Sequence, residues 1–341
     1  MSKKVLVTGG CGYIGSVLVP MLLQRGYEVR VFDKLYFGEE TLKSVRDNIE
    51  FIPGDVRNFD MAILDGIDGV IHLGSLSNDP TAAFDPDATH TINCEGTMKL
   101  AKACKQSGIQ KFTFASTCAV YGFHLDGIAD ETFPPNTQSD YAQSKLDVDI
   151  ELQKMADGSF CPVSLRQATV FGFSPRMRWD IVINAFAMHA FKTGRLDVWF
   201  GGEARRPVVH NKDTAEAHIR CLEANPEKVR GEVFNLVYRN YRTLELAHRV
   251  RKALAEMGIN VEVDVNYDQV DNRSYQTAGE KITKVLGFTP SVSVEDGVKE
   301  IVDVLRSGQH RDFDHPTYYN MRWMKLLVEI EERLKKTGKV L

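Results

Sequence analysis

The sequence predicts an α/β fold, a doubly wound parallel sheet with a smaller mixed α/β lobe set against it. Three observations carry this reading. Short apolar runs rich in β-branched residues alternate with stretches of helical spacing through the first half. A glycine-rich turn joins the first run to the first helix. After about residue 170 the alternation gives way to shorter, mixed elements. Strands alternating with helices imply βαβ units and a sheet covered on both faces.

Residues 3–8 (KVLVTG) form the first strand candidate, ending in glycine. Ile14, Val17, Leu18, Met21 and Leu22 then recur at helical spacing over 13–25. A second strand over 28–32 ends in Asp33, and further strands are expected at 49–52, 69–73, 111–115 and 162–167. Helical patterns lie between the later ones, near 87–106 and 139–157. Beyond them come a helix at 180–193, a glycine pair at Gly201–Gly202, a helix near 212–224, a strand at 233–237 and a helix near 243–257. The charged segment at 317–337 reads as a solvated amphipathic helix. This divides the chain into a first domain of alternating strands and helices (1–170), a lobe (171–312) with some strands and helices returning to the first domain, and a C-terminal helical tail (313–341).

Composition removes several classes of function. The 341 residues carry a formal net charge of −4, without the basic footprint of a nucleic-acid binder. Arg205–Arg206 is too short a basic run to change that. No two of the six cysteines stand two residues apart in C-x-x-C spacing, which argues against structural zinc. They are scattered through apolar segments, as buried thiols in a reducing compartment would be. With no secretory pattern at the first residues and no apolar run long enough to cross a bilayer, the expectation is a cytoplasmic protein without membrane association.

The first strand runs directly into Thr8-Gly9-Gly10-Cys11-Gly12-Tyr13-Ile14-Gly15. Gly9, Gly12 and Gly15 stand three apart, where side chains would block close approach of backbone to a pyrophosphate. Free N–H groups at the helix start, with the positive end of the helix dipole, suit phosphate. Gly15 lets the helix pack closely on the strand. A lone glycine pattern is weak, but here a strand precedes it, a helix follows, and Asp33 closes the second strand. This is the Rossmann-type arrangement. A carboxylate at Asp33 accepts from both ribose hydroxyls and repels a 2′-phosphate, so NAD is expected over NADP. Asp55, in Gly-Asp-Val-Arg at the end of the third strand, has two readings: a helix N-cap, or an acceptor for the adenine amino group.

Tyr141-Ala-Gln-Ser-Lys145 opens a helix, and positions four apart share one face. An ammonium there lowers the pKa of a nearby phenol, which then takes a proton from a sugar or alcohol hydroxyl as hydride leaves carbon. Alone this spacing is common. Upstream, Ser116 and Thr117 end an apolar strand, where α/β sheets hold ligands. Thr117 can bond the oxygen that Tyr141 deprotonates, with Ser116 in support.

Taken together, T-G-x-x-G-x-x-G at 8–15, D-V-R at 55–57, S-T-x-x-V-Y-G at 116–122 and Y-x-x-x-K at 141–145 make the chain resemble the extended branch of the short-chain dehydrogenases/reductases, the nucleotide-sugar epimerase and dehydratase group. The resemblance covers about residues 3–305. It implies Tyr141 as acid/base, Lys145 as its tuner and nicotinamide-ribose ligand, and Thr117 as the substrate hydroxyl partner. Gly9, Gly12, Tyr13, Ile14, Gly15, Asp33, Asp55 and Val56 would surround the dinucleotide, with Leu73, Gly74, Ser75 and Ser116 lining its pocket. Asn93 matches a family asparagine near that pocket and reads equally as a helix-face residue. Arg206-Pro-Val-Val-His-Asn-Lys-Asp213 is similar to the family's R-x-x-x-H-x-x-D stretch, whose arginine contacts the substrate diphosphate. Asp271-Asn-Arg-Ser-Tyr275 is similar to a later segment that supplies a second phosphate arginine, here Arg273. Arg176 and Arg178 are weaker candidates that rim the cleft. The resemblance also implies a homodimer through the helices near 87–106 and 139–157.

Departures from the family narrow the chemistry. The dehydratases carry Asp-Glu just after the threonine, where this chain has Cys118 and Ala119. The decarboxylases place a glutamate in this stretch, and none is present. The 3,5-epimerases carry a catalytic cysteine at the position of Ala119, so Cys118 reads as packing. Thr169 stands where relatives often have an asparagine that contacts the sugar nucleotide. What remains is hydride chemistry at one carbon: an NAD-dependent nucleotide-sugar epimerase acting at C4. A 4-dehydrogenase or 4-ketoreductase uses the same side chains, and a non-catalytic NAD sensor is the rival from another class.

Overall fold

The computed structural model describes residues 3–124, 127–268, 274–308 and 312–338. Its first strands are β1 (Lys4–Thr8), β2 (Glu28–Asp33), β3 (Ile49–Pro53), β4 (Gly69–His72), β5 (Lys111–Thr117) and β6 (Cys161–Gln167). The shorter β7 (Thr169–Phe171), β8 (Arg195–Val198), β9 (Arg205–His210), β10 (Val233–Leu236), β11 (Arg239–Arg242) and β12 (Glu262–Val265) follow. Seven strands make one parallel sheet in the order β10-β6-β5-β4-β1-β2-β3. The order reverses between β1 and β4, and ligands of open α/β sheets bind at such a point, beyond the strand carboxyl ends.

Alternation along β1 builds both faces of this sheet. Val5 and Val7 point toward α1 (Gly15–Gln24), whose Leu18 and Leu22 are fully buried against them. Leu6 points the other way, into a core with Phe112 and Phe114 of β5. Burying each such leucine stabilises the fold by ~1.5–3 kcal/mol relative to exposure. The expected helix over 87–106 is broken into α3 (Pro86–His90), a π-helical turn over Thr91–Gly96, and α4 (Thr97–Gln106), following α2 (Asp79–Phe84). The wide turn coincides with fully buried Asn93, whose amide pairs both ways with the Leu76 backbone at 2.8 and 2.9 Å.

Helix α5 (Asp140–Met155) covers the β5 side, with Val148 and Leu152 in the same core as Leu6. The chain then crosses from β6 to β7 within two residues, leaving the main sheet for a three-stranded one of order β11-β9-β7. The remaining helices are α6 (Val182–Thr193), α7 (Asn211–Glu223), α8 (Pro226–Val229), α9 (Thr243–Glu256), α10 (Glu280–Leu286), α11 (Val294–Ser307) and α12 (Asn320–Thr337). Of these, α6, α9 and α11 share a second core with β8, built from Ile183, Val250, Ile301 and Leu196. Meanwhile α7 and β10 return to the main sheet: Ile219 and Leu222 of α7 join the core on the α1 face of the sheet, and β10 pairs with β6. Among the described residues no helix is long and apolar enough to cross a membrane.

Candidate active site

Two joined cavities open at the carboxyl ends of the sheet. The smaller, about 100 Å³, lies between the ends of β1 and β3 and is lined by Gly9, Gly12, Asp33, Asp55, Val56 and Gly74 among others. The larger, about 770 Å³, runs from the glycine turn past Ile14 and Gly15 to Thr117, Tyr141 and Lys145 and on into the second lobe. Gly9, Gly12, Phe37, Leu73 and Ser75 belong to both.

The glycine turn is tight enough to require its glycines. Gly9 has φ +71°, and a Cβ there would sit 2.7 Å from the Gly74 nitrogen. A Cβ on Gly15 would sit 2.3 Å from the Gly9 carbonyl oxygen. Among the described residues no side chain caps the first turn of α1, which leaves its positive end to a ligand. Asp33 accepts from the backbone N–H of Cys11 at 2.9 Å and of Leu35 at 2.7 Å. Burial raises its pKa, and those two bonds oppose the rise. Its carboxylate therefore ties the turn to the end of β2 while facing the smaller cavity.

Asp55 corrects an expectation. The third strand stops at Pro53, two residues earlier, its last ladder bond running from the Gly54 N–H to the Asp33 carbonyl at 2.8 Å. Asp55 instead closes a turn, accepting from the Arg57 backbone at 2.9 Å, and pairs with the Arg57 guanidinium at 2.7 Å and with Lys34 at 3.3 Å. The Arg57 bonds hold its carboxyl down at about 2. Of its two readings, capping a helix is therefore not what the side chain does.

Helix α5 begins with Ser139, which accepts from the Ala142 N–H at 3.1 Å and donates to Asp79 at 2.6 Å. That cap aims Tyr141 and Lys145 into the cavity. Lys145 is only 2% exposed and donates to Ser75 at 3.0 Å and to the Ala115 carbonyl at 2.8 Å, bridging the ends of β4 and β5. Its ammonium lies 6.0 Å from the Tyr141 ring centre. Burial pulls Lys145 down to about 7, with Asp149 opposing. Tyr141 is pushed up to about 12 by burial and by Asp79, against a hydrogen bond with Thr117 and the charge of Arg178. The lowering of the phenol expected from the lysine is not what the site shows: burial is the largest influence on both groups and disfavours both charged forms.

A buried chain of polar groups underlies this pair. Ser116 donates to Asp149 at 2.9 Å, and Arg166 Nε donates to the same oxygen at 2.9 Å. The Arg166 guanidinium also reaches the Tyr121 hydroxyl at 2.9 Å, which donates to Asn235 at 2.7 Å. Ser116 therefore lines the cavity with its hydroxyl already engaged. Asn93 lines neither cavity and braces the Leu73–Leu76 segment through Leu76. The buried Tyr13 donates to the Gly172 carbonyl at 2.6 Å, so its phenol ties the glycine turn to the loop after β7.

The second lobe supplies the far wall. Thr169 reaches it because the chain changes sheets there, and Arg206 reaches it from β9. The R-x-x-x-H-x-x-D stretch divides: Arg206 faces the cavity, whereas Asp213 accepts from the backbone of Ser291 and Val292, both at 2.9 Å, and buried His210 lies 3.5 Å from Glu300. Arg273 lies outside the described residues; Tyr275 of the same segment lines the cavity. Phe37, Gln167, Trp199 and the segment Tyr319–Arg322 also line it, none of them singled out by the sequence. The last refines the reading of 317–337 as a solvated helix: residues 329–338 are exposed as expected, but the start of α12 walls the cavity, and Met324 packs on the main core. Its amphipathic spacing was visible, but spacing does not say which surface a face meets.

A dinucleotide turn at the switch point and a Tyr, Lys and Thr set at the strand ends define an enzyme of the extended short-chain dehydrogenase/reductase class. The chain belongs to the NAD dependent epimerase/dehydratase family, which it matches over residues 5–236. It is 28% identical over 327 residues to mouse dTDP-D-glucose 4,6-dehydratase, covering 91% of this chain and 90% of that one. It is also 28% identical over 321 residues to UDP-glucose 4-epimerase of Lacticaseibacillus casei, covering 88% and 94%. Among solved structures, UDP-glucose 4-epimerase of Thermus thermophilus in complex with NAD superposes with a TM-score of 0.75 at 29% identity, covering 89% and 99%. Epimerase and dehydratase names thus occur at equal identity. The family's cofactor is NAD, and the residues present fit it: Gly9 and Gly12 line both cavities without a side chain, the start of α1 has no side-chain cap among the described residues, and the Asp33 carboxylate lines the cavity beside them.

Proposed function

We propose that this enzyme is an NAD-dependent nucleotide-sugar epimerase that inverts C4 of the sugar. The observation that carries this reading is the chemistry of the two residues directly after Thr117. Cys118 is fully buried, donates to the Arg166 carbonyl at 3.0 Å, and is pushed up to about 12 by burial. Ala119 presents only a methyl group to the cavity. No proton can be given or taken at these two positions, so elimination of water has no acid–base pair there.

Gly9, Gly12, Ile14, Gly15, Asp33, Asp55, Val56, Leu73, Gly74 and Ser75 would hold NAD, which would supply a hydride acceptor with no net redox change over the cycle. Tyr141 acts as the phenolate, the form that the positive charge of bound NAD would favour against burial; it takes the proton from the C4 hydroxyl, and Thr117 shares a hydrogen bond with the same oxygen. Lys145 stands beside the phenol and orients the site through Ser75. When the sugar ketone presents its other face, Tyr141 returns the proton. Arg206 and Thr169 hold the nucleotide and sugar ends, with residues 171–312 as the substrate lobe. A cavity of about 770 Å³ lies within the range of small-molecule sites. We read the enzyme as a homodimer through the outer faces of α4 and α5, where Ile150 is 40% exposed; sedimentation as a monomer would remove that part.

The deciding experiment incubates the enzyme with UDP-glucose, UDP-galactose and UDP-glucuronic acid and follows products by NMR and NADH by absorbance. An epimer with no net NADH is the expected result. Stoichiometric NADH makes the protein a 4-dehydrogenase, and a 4-keto-6-deoxy product makes it a dehydratase.

A further inference from the structure

The two cavities share Phe37 together with Gly9, Gly12, Leu73 and Ser75, so this ring borders the passage that a dinucleotide spanning them would take. Over the ring lies Arg176, its guanidinium carbon 3.6 Å from the ring centre. Arg176 lines the larger cavity and is only 5% exposed. Its Nη2 donates to Asn320 at 2.5 Å, while its buried Nε has no hydrogen-bond partner among the described residues. The neighbouring acid, Asp180, is taken by a two-pronged pair with Arg178 at 2.9 and 3.0 Å. Burial, with Arg178 nearby, pulls Arg176 down to about 9. A buried cation without a carboxylate of its own costs stability unless an anion joins it.

The backbone that carries Arg176 is fastened to the glycine turn. Ser174 donates to the Tyr13 carbonyl at 2.7 Å, bonds the Ser16 hydroxyl at 2.9 Å, and accepts from the Arg176 N–H at 3.2 Å. The guanidinium is thereby set beside the uncapped start of α1, so two positive ends converge on one spot. Asn320 holds it from the other side. That residue opens α12 and is itself 5% exposed. Its amide also donates to Ser77 at 2.8 Å, and its backbone N–H donates to Asp180 at 3.2 Å. Three residues on, the Trp323 indole N–H donates to the Tyr36 carbonyl, next to Phe37.

We propose that Arg176, positioned by Asn320, closes on the diphosphate of bound NAD, so that the start of α12 is a clasp that governs how long the dinucleotide stays. Arg176 is the contact and Asn320 a positioning residue. The proposal rests on the family's cofactor and is independent of the sugar reaction that the bound NAD serves.

The test compares the parent enzyme with Arg176→Gln and Asn320→Ala. Release of bound NAD is timed by trapping it with a coupled dehydrogenase. Affinities for ADP-ribose, which carries the diphosphate, and for adenosine, which does not, are then measured on protein stripped of NAD. Arg176→Gln should release NAD about tenfold faster and bind ADP-ribose about tenfold more weakly, the loss of one charged hydrogen bond, with adenosine affinity unchanged. Asn320→Ala, which keeps the guanidinium, should show the same pattern with a smaller amplitude, and it carries the test if Arg176→Gln does not fold. Release at the parental rate in the variants overturns the clasp. Equal weakening of adenosine and ADP-ribose also overturns it, because that would mark a scaffold role. A parent chain that binds no NAD overturns the cofactor assignment and the clasp together.

Discussion

Asp149 and Arg166 form a buried ion pair, Oδ2 to Nε 2.9 Å, with side chains 1% and 8% exposed. Asp149 follows Lys145 by one helical turn and also receives Ser116. Replacing it with Asn leaves the Arg166 charge buried without its counterion, a loss of about 3–5 kcal/mol in such pairs. Asp149→Asn should therefore unfold at a clearly lower temperature, measured by circular dichroism. A melting temperature within a degree of the parent would contradict this account.

Tyr141 is assigned the moving proton. Tyr141→Phe removes only the hydroxyl, so the cavity and its NAD should persist while kcat falls by about 10²–10⁴. Steady-state kinetics together with the NAD content of the purified variant check both halves. Undiminished kcat would remove Tyr141 from the reaction.

The Lys145 ammonium joins Ser75 to the Ala115 carbonyl. Lys145→Met fills similar space without donors and removes both of these hydrogen bonds. Turnover should drop at least as far as in Tyr141→Phe, and NAD should bind more weakly as well. A variant with parental NAD affinity would mean that Lys145 serves the proton step alone.

Gly15 stands so close to the Gly9 carbonyl that an added methyl must displace backbone. Gly15→Ala should cost about 1–3 kcal/mol by overpacking and empty the protein of NAD. Chemical denaturation and chromatography of the released nucleotide measure the two effects. Full NAD occupancy in the variant would show that the turn can yield.

His218 bonds Thr113 and Gln167, both at 2.9 Å, and burial pulls it down to about 3. The folded pKa lies below the ordinary value of 6.5. Between the two the unfolded chain binds a proton that the folded chain refuses, so stability is whole above about 6.5 and is lost as pH falls toward 3. His72, down at about 3 for the same reason, adds a second such proton. His218→Gln should make the fall shallower by up to about 1.4 kcal/mol per pH unit. Urea unfolding at pH 4, 5, 6 and 7 reads the slope, and an unchanged slope would exclude His218 as a contributor.

The long parallel strands were legible because burial on both faces demands near-continuous apolar runs, as in KVLVT and KFTFAST. Strands β7, β8, β9, β11 and β12 were not, since three to six residues such as RRPVVH or RNYR acquire strand geometry only from neighbours. The glycine turn and the Tyr141/Lys145 spacing were legible because local geometry sets them. Gln167, Trp199 and Phe37 carry no such spacing and meet the site only through the fold.

By itself the order of residues determined that a turn of glycines precedes a helix, that an acid follows at Asp33, and that Tyr141 and Lys145 share one helical face. These are short-range matters of backbone freedom and helical repeat. Only the tertiary structure decided which groups are already engaged: Ser116 by Asp149, Asn93 by Leu76, Asp55 by Arg57. It alone brought Asn320 to Arg176 across 144 positions. Hydrogen bonds and desolvation depend on neighbours in space, and a chain acquires those neighbours only when its sheets and helices pack.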